Sequence, residues 1–136
     1  MEFFTFISEQ WLLVSLLILL IYAFAFLERS RGGKPLPSHE VTRLLNKDEA
    51  VLIDVRESKE YKLGHITGAL NMPLAKLDSH LSELEKYRTK TLILVDKMGQ
   101  QAGSAGKKLK KAGFEVFRLQ GGMADWSSQG LPLVKK

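Results

Sequence analysis

The chain of 136 residues contains no cysteine. That excludes disulfides and thiolate nucleophiles and removes the usual ligands of a structural zinc site. Its three histidines, His39, His65 and His80, are not at metal-ligand spacing, so no metal and no cofactor are expected. The residues that remain for chemistry form one loop, Asp96-Lys97-Met98-Gly99-Gln100-Gln101, placed after the apolar run Thr91 to Val95 and before a lysine-rich stretch. A loop that ends a strand and opens a helix presents backbone amides at the positive end of the helix dipole, which makes an anion cradle. Asp96 is a conceivable phosphoryl acceptor, but that chemistry needs a divalent metal and partner carboxylates, and no acidic cluster surrounds the loop in sequence. Met98 is a thioether with no ionisable proton and cannot carry sulfur.

The elements that hold this loop are legible as an alternation of short apolar strands and short helices. Ser38 is placed to cap a helix whose Val41, Leu44 and Leu45 share a face. Val51 to Ile53 reads as a buried strand ending at Asp54, Ser58 to Leu63 as a helix closed by Gly64, and Ala69 to Met72 as a brief strand stopped by Pro73. Asp78 to Tyr87 is amphipathic through Leu77, Leu81 and Leu84. Thr91 to Val95 is the clearest strand, followed by the loop, a lysine-rich helix ending at Gly113, a strand over Glu115 to Leu119, and a turn at Gly121-Gly122 leading to Trp126. Fully apolar strands alternating with helices imply an α/β fold, a parallel sheet covered on both faces, with ligands beyond the carboxyl ends of the strands.

Ile53-Asp54-Val55-Arg56, Gly64-His65-Ile66, Gly68-Ala69, Asn71-Met72-Pro73, Lys111-Ala112-Gly113-Phe114, Gly121-Gly122 and Trp126 occur in an order and at separations that are jointly specific. Over nearly all of Ser38 to Lys136 the chain resembles the rhodanese, or thiosulfate sulfurtransferase, homology domain. The resemblance implies a rhodanese-like sheet flanked by helices. In active members the loop resembles C-x-x-G-x-R, in which a thiolate takes a sulfane sulfur and loop amides with a basic residue stabilise the persulfide. On that pattern Gly99 keeps its place, Asp96 stands at the nucleophile position and Gln101 replaces the arginine. Both chemical elements are missing, and no catalytic residue is expected. The Asp96 carboxylate can turn into the amide cradle and fill it, or point to solvent as a helix cap; the sequence leaves both open. The resemblance makes Asp54 and Arg56 a structural charge pair and His65 a packed or hydrogen-bonded structural residue. Trp126 is expected in the core, unless it is partly exposed near the loop as an anchor for a partner.

Ahead of this domain lies Trp11 to Leu27, WLLVSLLILLIYAFAFL, without charge or proline. Its about 17 residues span roughly 26 Å as a helix, close to the ~30 Å hydrocarbon core. The only charged side chains before Trp11 are Glu2 and Glu9, whereas a signal peptide has a positive n-region, although Ala23-Phe24-Ala25 does resemble a small-x-small cleavage site. One transmembrane anchor over residues 1–27 is expected, then a linker over 28–37, rich in glycine, proline and basic residues, then the domain over 38–136. Arg29, Arg31 and Lys34 follow the apolar run and no Lys or Arg precedes it, so the C-terminal domain should face the cytoplasm, in a bacterial inner membrane.

All 20 Lys and Arg follow Leu27, as do all but two of the 15 Asp and Glu, so the part after the apolar run carries a formal +7. Lys107, Lys108, Lys110 and Lys111 cluster on one helix; they are either a solvated face or an attraction for anionic lipid head groups. Nucleic acid is not expected, because the basic residues are not interleaved with aromatics. The sequence therefore implies a membrane-anchored, inactive rhodanese-like module that binds a membrane or membrane-associated protein through the loop. The competing classes are a sulfurtransferase completed by a partner's thiol and a sensor of small oxyanions.

Overall fold

The central strand of the sheet is the most apolar one. The computed structural model describes residues 2–30 and 32–135, which form two units, one ending at Arg31 and one beginning at Gly32. In the first, α1 (Glu2–Glu9) and α2 (Trp11–Ser30) are bent by 65° about Gln10. The single span expected over 1–27 is thus two helices. Among the described residues no single helix is long and apolar enough to cross a membrane, although the bent pair together passes on length and composition. The apolar side chains of α2 find no protein core: Leu12, Tyr22 and Phe26 are 66%, 73% and 72% exposed. Of the basic residues behind the expected orientation, Arg31 and the Arg29 side chain lie outside the described residues.

The second unit runs β1 (Lys34–Leu36), α3 (Ser38–Asn46), β2 (Ala50–Asp54), α4 (Ser58–Leu63), β3 (Leu70–Asn71), α5 (Leu81–Leu84), β4 (Thr91–Val95), α6 (Ala102–Lys111), β5 (Val116–Leu119) and α7 (Gly122–Ser128). The five strands form one sheet in the order β1-β5-β4-β2-β3, every pair parallel. Alternation along a strand sends neighbouring side chains to opposite faces, and β4 shows its use. Leu92 and Leu94 enter a core with Ile53, Leu77, Leu84, Leu109 and Phe114, while Ile93 and Val95 enter another with Val41, Leu52, Leu119, Met123 and Trp126. The segment around α5 and helix α6 therefore cover one face, and α3 and α7 the other.

Two local expectations are corrected. The segment 28–37 is only in part a linker, because Lys34–Leu36 pairs with Phe117–Leu119 as the sheet's edge strand. Pro35 is tolerated there because an edge strand has a free side. Just before it, Gly32 packs on α6 so closely that a Cβ on Gly106 would stand 2.7 Å from the Gly32 Cα, which is why a helix tolerates glycine at 106 at a cost near 1 kcal/mol. Ser38 does not cap α3; Pro37 occupies the cap position and the Ser38 hydroxyl donates to Gln129 Oε1 at 2.6 Å. The amphipathic stretch 78–87 lies on a succession of short turns, a 3-10 segment Leu74–His80, the single α-turn Leu81–Leu84 and a 3-10 turn Glu85–Tyr87, which buries Leu77 and Leu84.

Candidate functional site

Strand β4 delivers Asp96 to the carboxyl edge of the sheet, and α6 begins at Ala102, so the loop between them is held at both ends. Asp96 is 1% exposed. Its Oδ1 accepts the Gly99 amide, and its Oδ2 accepts the amides of Gln101 at 2.5 Å and Ala102 at 2.9 Å. The carboxylate is inside the cradle, and the solvent-pointing cap is not what forms. An anion accepting three amides at a helix N-terminus is stabilised by charge-assisted hydrogen bonds and by the helix dipole together. The amides that an external oxyanion would use are taken by the chain's own side chain.

The loop is closed from the other side by the turn before α7. Met123 N donates to Asp96 O at 2.8 Å and Ala124 N to Lys97 O at 2.9 Å. This approach requires glycine: Gly122 has φ +61°, and a Cβ there would lie 2.5 Å from Asp96 O and 2.7 Å from Asp96 Oδ1. Gly99, at φ +88°, turns its amide inward and faces Gly121. With the carboxylate inside, the outer surface of the loop consists of Lys97, Met98, Gln100 and Gln101, all exposed, with Met98 61% exposed.

Asp96 is enclosed, and among the described residues no group of three His, Cys, Asp or Glu side chains could hold a metal ion for phosphoryl transfer. Gln101 contributes its backbone amide, while its side chain sits at the surface.

The residues expected to be structural are found away from the loop surface. Asp54, fully buried, takes Arg56 in a fork: Arg56 Nε lies 2.9 Å from Oδ1 and Nη2 2.7 Å from Oδ2, and Nη2 also donates to Gly64 O at 2.8 Å. That ties β2 to the turn after α4. His65 is buried, stacked on Tyr61 with ring centroids 3.7 Å apart, and its Nδ1 meets Tyr61 O at 2.8 Å. A carbonyl only accepts, so the proton is on Nδ1. The His65 backbone also exchanges hydrogen bonds with Val134, which ties down the C-terminal segment. Trp126 is 4% exposed in the core, and its Nε1 donates to Pro132 O at 3.1 Å. Lys107, Lys108, Lys110 and Lys111 are all exposed on α6, with Lys108 Nζ 3.4 Å from Asp78 Oδ2.

Two further residues organise the site. Arg118 on β5 donates from Nε to Gly33 O at 2.9 Å and from Nη1 to Gly99 O at 3.4 Å, linking the entry of the chain to the loop. Its signal is a lone charge in the apolar strand Val116–Leu119, at a position paired with Leu94 two residues before Asp96. Asn71 donates from Nδ2 to Asp54 O at 3.1 Å and Arg56 O at 3.0 Å, holding the strand end that carries the charge pair.

This geometry agrees with comparisons to known proteins. The family of rhodanese-like domains matches residues 38–129. The Escherichia coli (strain K12) protein YibN is 41% identical over 98 residues, 71% of this chain and 68% of that one. The Buchnera aphidicola protein BU052 is 31% identical over 134 residues, covering 95% of this chain and 93% of its own, so the match reaches into the N-terminal helices. The rhodanese-related protein of Thermoplasma volcanium superposes with a TM-score of 0.69 over 76% of this chain and 99% of its own; at 23% identity it speaks for the fold alone. A parallel sheet with this loop at its carboxyl edge and a family match over most of the chain lead to one conclusion: the chain belongs to the rhodanese-like domain family.

Proposed function

We propose that the chain is a membrane-anchored, catalytically inactive rhodanese-like module that binds a protein partner at the membrane through the outer surface of its loop. The observation that carries the reading is the Asp96 carboxylate enclosed by the amides of Gly99, Gln101 and Ala102, at the position where active relatives would hold a sulfur-bearing thiolate. A carboxylate forms no persulfide, and a sequence with no cysteine has no substitute for one. The loop retains shape: a rigid platform with Met98 as an exposed, adaptable apolar knob among polar neighbours, the kind of side chain that suits a protein contact.

Anchoring is supported by the uncharged run Trp11–Leu27 and by the exposure of its apolar side chains, which require a nonaqueous environment or a partner. The basic residues after Leu27, with none before it, favour a cytoplasmic domain, and a bacterial inner membrane suits the relatives in Escherichia coli and Buchnera. Confinement to a membrane raises the effective concentration of a partner in the same membrane, so a modest loop surface suffices.

Thiosulfate:cyanide sulfurtransferase activity of the full chain, measured beside the Asp96→Cys, Gln101→Arg double variant, tests the inactive reading. No turnover by the unmodified chain is expected, with or without an added thiol, and turnover there sinks it. Activity gained by the double variant would add that the cradle still functions. A photo-crosslinker at position 98 tests the binding reading: it should join one discrete membrane protein, and Lys97→Glu should weaken that product, whereas a crosslinker at Lys62 should not form it. Equal products from both positions remove the loop from the interface.

A further inference from the structure

The four lysines of α6 are not equivalent, and the way the chain enters the domain sorts them. Gly32 is buried against α6, at Gly103, Gly106 and the Lys107 amide. At 100° per residue, Lys107, Lys110 and Lys111 fall on the arc that includes Gly103 and adjoins Gly106, turned away from Ala102, Ala105 and Leu109, which enter the core. Lys108 lies beyond that arc and meets Asp78.

The covalent chain then sets a distance. Leu27 closes the apolar run, and the five residue steps from Leu27 to Gly32 reach at most about 18 Å. Wherever Leu27 enters a bilayer, the chain keeps Gly32, and the helix it packs on, on a tether only about two Debye lengths long. An anionic surface attracts basic residues that lie within about a Debye length, ~8 Å at physiological salt. Lys107 and Lys111 are exposed, and Lys34 adds an exposed cation two residues beyond Gly32.

We propose that the α6 face bearing Lys107, Lys110 and Lys111 is a docking surface for anionic phospholipid head groups, which holds the domain against the membrane with its loop at a defined height for the partner. The proposal rests on the anchored reading above and adds which face meets the lipid. Charge complementarity favours lipid over a protein occupant, because Lys107 and Lys111 are exposed cations with Lys34 a further one, and the small residues of the face are covered by Gly32.

The test uses the full chain in nanodiscs of phosphatidylcholine alone or of phosphatidylcholine with phosphatidylglycerol. The probe is brief reductive methylation, read lysine by lysine by mass spectrometry. On anionic discs at low salt, Lys107 and Lys111 should lose reactivity several-fold, while Lys108 and the opposite-face lysines Lys47 and Lys62 should not. High salt should abolish the difference. In the Lys107→Glu, Lys111→Glu variant, Lys110 should label equally on both discs. Equal labelling of Lys107 and Lys111 in the two lipids, in a chain that stays membrane-bound through alkaline carbonate extraction, overturns this proposal alone. Release of the chain by that extraction overturns the anchoring with it. Protection of Lys47 and Lys62 to the same degree as Lys107 shows charge attraction without a face and also overturns the proposal.

Discussion

Asp96 is held as a structural residue of its own loop. Its carboxylate satisfies three amides that would otherwise need an external anion. Asp96→Ala leaves those donors unpaired in a buried place, at a cost of about 1–3 kcal/mol, and vacates the cradle. The variant should melt lower than the unmodified chain and be restored by thiosulfate or phosphate, while the unmodified chain shows no shift; a variant as insensitive to these anions as its parent would mean that the amides are not an anion site. Tyr61 gives a second prediction. Burial first and the Asp54 charge second hold its phenol above the ordinary value of 10.0. Because the fold holds that proton more tightly than the unfolded chain does, the contribution is full below the ordinary value and is lost as pH rises through the raised one. Tyr61→Phe should flatten the alkaline limb of stability against pH, and an unchanged slope in a denaturant series would argue against it. At this scale the sequence placed the loop between its strand and helix, and the resemblance supplied the pairing of Asp54 with Arg56, but neither decided which way the Asp96 carboxylate turns. Arg118 and Asn71 were not legible, because each acts on residues that only the sheet brings near.

At the scale of elements, β4 and β2 were read directly because residues 92–95 and 51–53 are unbroken apolar runs bounded by turn signals, as suits strands buried on both faces. The edge strand β1 was hidden by its composition. Three residues with a proline, after a glycine pair, carry the signature of a linker, and only pairing with β5 makes them a strand. The amphipathic reading of 78–87 gave the buried face and no more: leucines at that spacing bury equally well on a succession of short turns, so periodicity does not report the hydrogen-bond pattern. Helix α6 offers the test at this scale. Gly106→Ala improves intrinsic helix propensity by about 1 kcal/mol, yet its Cβ would collide with Gly32. The expected outcome is a less stable protein with faster proteolysis near Gly32; a stability gain would show that the entering segment moves aside freely.

On the scale of the whole molecule, the second unit is a domain completed by segments outside its family match of 38–129. Gly32 to Leu36 lies before that match, and Val134, bridged to His65, lies after it. The sheet and its covered faces were legible because alternation of element types fixes an α/β plan, whereas the bend at Gln10 was not, since nothing there breaks a helix by composition. A chain shortened to begin at Ser38 should dimerise or precipitate where one beginning at Gly32 stays monomeric, a difference that light scattering at equal concentration would read.

The strand β1 explains that expectation and extends it. β5 is an interior strand only because β1 lies on it, and with β1 gone its open row of amides and carbonyls would invite the same row of a second copy. Proteolysis after Leu36 would therefore do more than part the domain from the N-terminal helices: it would free a body with a raw margin, prone to zip onto its own kind. The few residues between α2 and α3 are thus also a guard against aggregation, and their integrity sets whether the released domain remains a single molecule.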